Sequence, residues 1–94
     1  MPGFSDPPNT AVFTCSHVLS GQYPVLFVSH DEPDGDWQFL CNVHEHQTSD
    51  FRIVALKQVI GHDESLNDVS DLLPGFVATR TQPSGPWMRQ KYEE

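Results

Sequence analysis

The sequence has few basic residues and many acidic ones. Five lysines and arginines stand against thirteen aspartates and glutamates, which gives the 94-residue chain a formal net charge of -8. An acidic surface repels phosphate backbones, and no Lys/Arg cluster is available to release counterions from a nucleic acid. We therefore expect neither nucleic acid nor an anionic membrane as a partner. The negative charge favours a basic protein or a cation as the partner. Alternatively, the acidic residues only keep the surface solvated.

Long apolar segments and cysteines are also scarce. No run is long enough for a transmembrane helix, and the first residues lack the regions of a secretory signal. The two cysteines, Cys15 and Cys41, lie inside apolar segments and not in the spaced framework of an extracellular disulfide-rich protein. We predict a cytoplasmic protein in which both cysteines are buried thiols.

The motifs of common enzyme classes are missing as well. The sequence has no Gly-rich phosphate loop, no Ser-His-Asp pattern and no H-E-x-x-H helix. His30 paired with Asp31 or Glu32 could act as a tuned base, and Cys15 two residues before His17 suggests a nucleophile pair. No sequence motif near either pair indicates hydrogen-bond donors that could stabilise an oxyanion, as catalysis requires. We predict that the protein is not an enzyme and binds no cofactor.

The composition fits one small domain. Hydrophobic residues make up 37% of the chain, which suffices for a single core at this length. The polar, proline-bearing ends, residues 1–10 and 83–94, are predicted to be loosely held tails of a domain that spans residues 1–94. An exposed edge strand would allow a homodimer, so both a monomer and a homodimer stay open.

Local patterns predict strands and short helices in alternation. Segments rich in β-branched and aromatic residues predict strands at 11–16, 23–30, 37–43, 51–55 and 76–80. The segment SHVLSGQ, residues 16–22, is predicted to be a short helical or looped connection. Helical spacing predicts a helix in 55–61 and a helix that buries Leu66, Val69 and Leu73. Asp63 or Ser65 would cap the last of these. This order predicts an α+β fold, a mainly antiparallel sheet with a central hairpin and one or two short helices packed on one face.

The central hairpin is predicted from Asp34 and Gly35, because an Asp-Gly pair is typical of a two-residue turn. That turn would place His30 opposite Phe39 and Val28 opposite Cys41. One face of the hairpin would then be apolar and would consist of Leu26, Val28, Phe39, Cys41 and Val43.

The segment HDEPDGDWQFLCNVHEH, residues 30–46, raises the question of a metal site. His44 and His46 lie two residues apart, and together with Cys15 and Cys41 they could form a Cys₂His₂ set if the strands adjoin. Against this, Cys41 and His44 point to opposite faces of a straight strand, and the ligand spacings of structural zinc sites are absent. The acidic residues also do not match a calcium loop. We predict no metal, with a metal-binding or redox regulator that uses these four residues as the alternative function.

Two longer segments, CSHVLSGQYPVLFVSHDEPDGDWQFLCNVHEH and IVALKQVIGHDESLNDVSDLLPGFVATR, resemble a group of small, uncharacterised bacterial proteins. The shared motifs are VSHD, DGDWQFLC and a D-L-x-x-G motif that precedes the last strand. The layout is also similar to an immunity-protein family of bacterial polymorphic toxin systems, formerly a domain of unknown function. In that family an acidic turn precedes a Gly-Trp-x-Phe strand, and Asp36 stands here in the place of that glycine.

This resemblance implies a non-catalytic protein that binds and occludes a toxin. Acidic side chains would attract a basic partner over long range, and Trp37 or Trp87 would anchor it. We therefore predict a small bacterial binding protein, an immunity or accessory protein whose partner is a basic protein or a toxin. The predicted contact residues lie on the rim of the hairpin and are Asp34, Asp36, Trp37, His44, Glu45 and His46.

Overall fold

A six-stranded sheet organises the part of the chain that the structure describes. The computed structural model describes residue 4 and residues 7–32, 35–41, 51–82 and 85–91. The predicted α+β class is confirmed. The strands are β1 (Ala11–Cys15), β2 (Phe27–His30), β3 (Trp37–Leu40), β4 (Phe51–Ala55), β5 (Phe76–Thr79) and β6 (Met88–Lys91). The helices are α1 (Ser16–Leu19), α2 (Leu56–His62) and a 3₁₀ helix (Glu64–Val69).

The sheet is mainly antiparallel. Its strand order is β4-β1-β3-β2-β5-β6, and β1 and β3 are the one parallel pair among the described strands. Parallel neighbours need a long connection, which α1 and β2 provide here. The hydroxyl of Thr14 in β1 donates a buried hydrogen bond of 2.7 Å to the carbonyl oxygen of Phe39 in β3. This bond joins the two strands near their C-terminal ends.

The predicted hairpin is formed by β2 and β3, but its register differs from the prediction. His30 lies opposite Trp37 and Val28 lies opposite Phe39, a displacement of two residues. Because side chains alternate with a period of two, this displacement leaves the same residues on the same face. The predicted apolar face is buried at Val28, Phe39 and Cys41 and half-buried at Leu26, while Val43 lies outside the described residues.

The turn of the hairpin explains the displaced register. The N–H of Asp31 donates to the carbonyl oxygen of Asp36 at 2.8 Å, so the connection is longer than two residues. A two-residue turn centred on Asp34 and Gly35 would need an N–H from residue 33, and that residue is a proline. Gly35 has a φ of 71°, a left-handed conformation that glycine adopts at little cost.

The core lies between one face of the sheet and the helices. Phe4, from the predicted N-terminal tail, contributes to it, because its ring packs edge-on against Trp37 with the centroids 4.8 Å apart. No helix in the described ranges is long and apolar enough to cross a membrane. The core residues with no exposed surface include Val12, Val28 and Phe39 from the strands and Val59, Leu66 and Val69 from the helical segments.

The second predicted helix is a 3₁₀ helix and not an α-helix. Asp63 caps it, as predicted, by accepting a 3.0 Å hydrogen bond from a backbone N–H of the first turn. Leu66, Val69 and Leu72 are buried, whereas Leu73, which was predicted to be buried, is 62% exposed. Leu66 and Val69 lie three residues apart, which matches the three residues per turn of a 3₁₀ helix. The helix ends at Val69, so the predicted helical period does not extend to Leu73.

Arg80 connects the end of β5 to this 3₁₀ helix. Its side chain is 1% exposed and forms a 2.6 Å ion pair with Asp63. The guanidinium also donates to the hydroxyl of Ser65 at 2.8 Å and to the carbonyl oxygen of Val25 at 3.0 Å. A charge can be buried in this way because it is both paired and hydrogen-bonded.

β6 lies in the segment that was predicted to be a loosely held tail. It pairs antiparallel with β5, and all four of its side chains are exposed. Backbone hydrogen bonds can hold such an edge strand without burying side chains, so no hydrophobic pattern marks it in the sequence. Trp87 precedes β6 and lies half-buried under the guanidinium of Arg80, 4.2 Å from the ring centroid. Residues 85–91 therefore pack on the domain.

Candidate metal centre

The predicted partner-contact residues are only partly described. Asp34, His44, Glu45 and His46 lie outside the described residues. Asp36 is half-buried, and its carbonyl oxygen closes the β2–β3 connection. No described feature tests whether these side chains touch a partner.

The prediction that Trp37 contacts a partner is wrong, because its side chain is buried. The residue is 1% exposed, and the ring of His30 lies flat against it. Strand alternation gives the reason, since the face that carries Phe39 inward also carries Trp37 inward two residues earlier. A binding surface on this protein would therefore have to use other side chains.

His30 is held by a backbone acceptor. Its Nδ1–H donates to the carbonyl oxygen of Leu72 at 2.7 Å. The ring also stacks on Trp37. His30 therefore connects the segment that follows the 3₁₀ helix, at Leu72, to the sheet. This geometry differs from the predicted base, in which His30 pairs with Asp31 or Glu32.

The two cysteines, by contrast, come together with a histidine at one edge of the sheet. Cys15 is the last residue of β1, and Cys41 directly follows β3. Because β1 and β3 are parallel neighbours, their C-terminal ends meet at the same edge. α1 begins at this edge, and its second residue is His17. The fold thus places three residues with sulfur or nitrogen ligand atoms at the junction of β1, α1 and β3.

The distances within this group, which we call the Cys/His cluster, are close to those of a metal site. The sulfurs of Cys15 and Cys41 and a ring nitrogen of His17 all lie within 4.8 Å of one another. Cys41 Sγ lies 3.8 Å from His17 Nδ1. In a tetrahedral zinc site two sulfurs are about 3.8 Å apart, and a sulfur and a nitrogen are about 3.5 Å apart. Shifts of roughly 1 Å or less would therefore bring all three atoms to ligand positions.

The cluster is sheltered from solvent. Cys15 and Cys41 have no exposed surface, and His17 is half-buried. The ring of Tyr23 packs edge-on against His17 with the centroids 5.9 Å apart, and the N–H of Tyr23 donates to the carbonyl oxygen of His17 at 3.3 Å. These contacts limit the movement of the imidazole, as the surroundings of a metal-binding histidine commonly do.

Burial raises the pKa of the Cys15 thiol above its ordinary value. The backbone N–H groups of Cys41 and Val18 lower it in part, since both favour the thiolate. The thiol is therefore protonated at neutral pH, and a metal would displace that proton on binding. N–H groups directed at a sulfur also stabilise a metal-bound thiolate once it has formed.

The sequence predicted only part of this cluster. Cys15 and Cys41 were proposed as ligands together with His44 and His46, whereas His17 was considered only as a partner of Cys15 in a nucleophile pair. The described contact is instead between His17 and Cys41. The chain turns into α1 immediately after Cys15, so the alternation of a continuous strand does not apply to His17. A C-x-H pattern at a strand-to-helix junction was the available signal.

A pocket lies next to the cluster but does not contain it. Its volume is about 370 Å³, and Tyr23, whose ring contacts His17, forms part of its wall. The ligand atoms of the cluster are thus separated from this open space. The residues lining the pocket are Val18, Gly21, Gln22, Tyr23, Pro24, Val25, His62 and Asp63.

Comparisons with protein-family models, curated proteins and solved structures each found no match to this chain. The resemblance to an immunity-protein family therefore stays a prediction.

Proposed function

We propose that the protein is a small, non-catalytic metal-binding protein that holds a zinc ion at Cys15, His17 and Cys41. The convergence of these three side chains from β1, α1 and the end of β3 within 4.8 Å supports this proposal. A pair of buried cysteines that only filled space would not require a histidine nitrogen 3.8 Å from one sulfur. This function is the metal-binding alternative considered from the sequence, with His17 in place of His44 and His46, which lie outside the described residues.

The chemistry of the ligands favours zinc over harder cations. Two thiolates and an imidazole are soft or intermediate donors, which select Zn²⁺ or Cu⁺, whereas Ca²⁺ and Mg²⁺ require oxygen ligands. Zn²⁺ imposes no redox chemistry and accepts Cys₂His ligation with a fourth ligand from protein or solvent.

The position of the cluster supports a structural role for the metal. Its ligands belong to segments that meet only when β1 has paired with β3. A metal bound there would cross-link β1 and α1 to the end of β3 and stabilise the folded state relative to the unfolded chain. Because both sulfurs are buried and lie outside the neighbouring pocket, a substrate would have little access to the ion.

The test is the metal content of the full chain, produced without a histidine tag in zinc-supplemented medium. We expect one zinc per chain by elemental analysis after gel filtration. Cys15→Ser and Cys41→Ser should each lower the zinc affinity by more than roughly tenfold, since each removes a direct ligand. His62→Ala is a matched control, because His62 is exposed on α2 and outside the cluster.

Two results would refute the proposal. One is the absence of zinc, together with the absence of any metal uptake when the reduced chain is titrated with Zn²⁺. The other is zinc binding that is unchanged in Cys15→Ser and Cys41→Ser, which would assign the metal to other residues.

Recognition of a basic protein partner is a second candidate function. It is favoured by the net charge of -8 and by exposed apolar side chains on the outer strands, Ile53 in β4 at 66% and Met88 in β6 at 71%. A toxin-like reading frame beside the gene would supply the partner to test. We expect its association rate to fall as salt rises, because the attraction is electrostatic. Binding that is indifferent to salt and to Asp36→Asn would exclude this steering.

A further inference from the structure

Cys15 and Cys41 are also placed for a second chemistry, which is the formation of a disulfide with each other. Both are thiols without a disulfide, and their sulfurs lie within 4.8 Å. The register of β1 and β3 places Thr14 opposite Phe39, so Cys41 lies one residue beyond the position opposite Cys15. Neighbouring strands with this offset put the two Cα atoms about 6 Å apart, within the range of ordinary disulfides. Side-chain rotation can then bring the sulfurs to bonding distance.

We propose that this cysteine pair makes the metal site redox-controlled: a peroxide oxidises Cys15 and Cys41 to a disulfide, and the metal is released. The inference rests on the proposed function and deepens it, because it assigns a mode of regulation to the same site. The metal-bound state and the disulfide state exclude each other, since both need the same two sulfurs. After oxidation His17 is the one ligand of the cluster that is left.

The reaction balances with hydrogen peroxide as the oxidant. One thiolate attacks a peroxide oxygen, the O–O bond breaks, and a sulfenic acid and a first water form. The other thiolate attacks the sulfenic sulfur, an S–S bond forms, and hydroxide leaves as a second water. The two sulfurs together lose two electrons, the peroxide gains them, and two protons come from solvent. Both metal–sulfur bonds are lost, and the metal leaves as Zn²⁺.

Burial selects the kind of oxidant. Both sulfurs have no exposed surface, and half-buried His17 is the member of the cluster nearest to solvent. Hydrogen peroxide is about the size of two water molecules, so it can reach the two sulfurs beside the imidazole of His17. A glutathione disulfide must place its own sulfur in line with a protein thiolate and form a mixed disulfide, for which a buried pair leaves no room. The same burial prevents a disulfide between two chains.

The experiment treats the zinc-loaded full chain with hydrogen peroxide or with oxidised glutathione. A colorimetric chelator follows zinc release, and intact mass spectrometry follows the protein. With peroxide we expect one zinc released per chain and a mass loss of about 2 Da, the signature of one disulfide. Oxidised glutathione at the same concentration should act at least roughly tenfold more slowly. Dithiothreitol followed by zinc should restore the metal-bound form.

Cys15→Ser provides the control for the pairing. It cannot form the disulfide, so peroxide should add oxygen to Cys41 and should not remove two hydrogens. Zinc that is retained in the wild-type chain, or released with only oxygen adducts on the two sulfurs, would overturn the proposal.

A metal-free sample separates this inference from the proposed function. If the reduced chain binds no zinc but peroxide still joins Cys15 to Cys41, the metal-binding function fails and the oxidisable pair is supported. If zinc binds and no disulfide forms, the redox control alone fails. If zinc binds and leaves as the disulfide forms, both are supported.

Discussion

The imidazole of His30 lies flat on the indole of Trp37, with the ring centroids 3.9 Å apart and the ring planes 14° apart. The two residues are also directly opposite each other in the β2–β3 ladder. Phe39, two residues further along β3, stacks with Trp37 at a centroid distance of 6.0 Å. The indole is therefore the centre of an aromatic group that joins the hairpin to the core, which is a structural role and not the role of a binding anchor.

Replacement of Trp37 by alanine should strongly destabilise the fold. Removing a fully buried indole leaves a large cavity, so we expect a loss of about 3–5 kcal/mol in the free energy of unfolding, measured with urea. Trp37→Phe should cost less, because the buried Nε1–H of Trp37 has no hydrogen-bond partner among the described residues. Met88→Ala, at a residue that is 71% exposed, should change stability by less than about 0.5 kcal/mol. Equal effects of Trp37→Ala and Met88→Ala would contradict the packing described here.

The two ion pairs of the described structure should differ in their contribution to stability. Asp63→Ala removes the carboxylate partner of the buried Arg80 guanidinium and should cost about 3 kcal/mol. Asp71→Ala removes the partner of Arg89 in a pair whose side chains are 42% and 71% exposed, and should cost less than about 1 kcal/mol. Urea unfolding of both variants at the same pH measures the difference. A larger effect at Asp71 would show that burial does not set the order.

Two glycines offer a test of backbone conformation. Gly75 has a φ of 87°, and an added Cβ would lie 3.0 Å from a carboxylate oxygen of Glu32. Gly75→Ala should therefore destabilise by about 1–3 kcal/mol. Gly61 is in α2, where an added Cβ would meet no atom of another segment within 4 Å, so Gly61→Ala should stabilise by about 0.5–1 kcal/mol. Thermal unfolding of the two variants should give shifts of opposite sign, and shifts of the same sign would be inconsistent with this conformation.

Zinc removal should lower thermal stability if the Cys/His cluster binds the metal. Free zinc at about one hundred times its dissociation constant stabilises the folded state by about 2.7 kcal/mol. For a domain of this size such a change raises the Tm by roughly 10–20 °C. Addition of a chelator should reverse the shift in the wild-type chain and in His62→Ala. In Cys41→Ser the Tm should be insensitive to zinc and chelator alike, and a zinc-dependent Tm in that variant would place the stabilising metal elsewhere.

Local patterns in the sequence predicted the fold class well because they depend on neighbouring residues. Enrichment in β-branched and aromatic residues marked β2 and β3, and the helical spacing of Leu56 and Val59 marked α2. The hairpin register was wrong because the Asp-Gly signal was weighed without the missing N–H of residue 33. The buried position of Leu72 was missed because a helical period was extended to Leu73, whereas the 3₁₀ helix ends at Val69.

The cluster could be predicted only in part because it depends on strand order. Nothing in the neighbourhood of Cys15 indicates that β1 pairs with β3, whose contacts lie more than twenty residues away in the chain. The cysteines could therefore be suggested as a pair but not placed. His17 joins them because α1 begins directly after β1, and that depends on where the strand ends. β6 escaped prediction for a related reason, since it is held by backbone pairing with no buried side chain.

The parallel direction of β1 beside β3 has a consequence for how the protein matures. The hairpin of β2 and β3 joins segments that are near in the sequence and can form early, whereas β1 must find its place from a distance. Until it does, Cys15 is far from Cys41 and the Cys/His cluster is not assembled. If the cluster binds a metal as proposed, only chains in which β1 has paired with β3 would bind it there. A nascent chain without that pairing would lack this site for the ion.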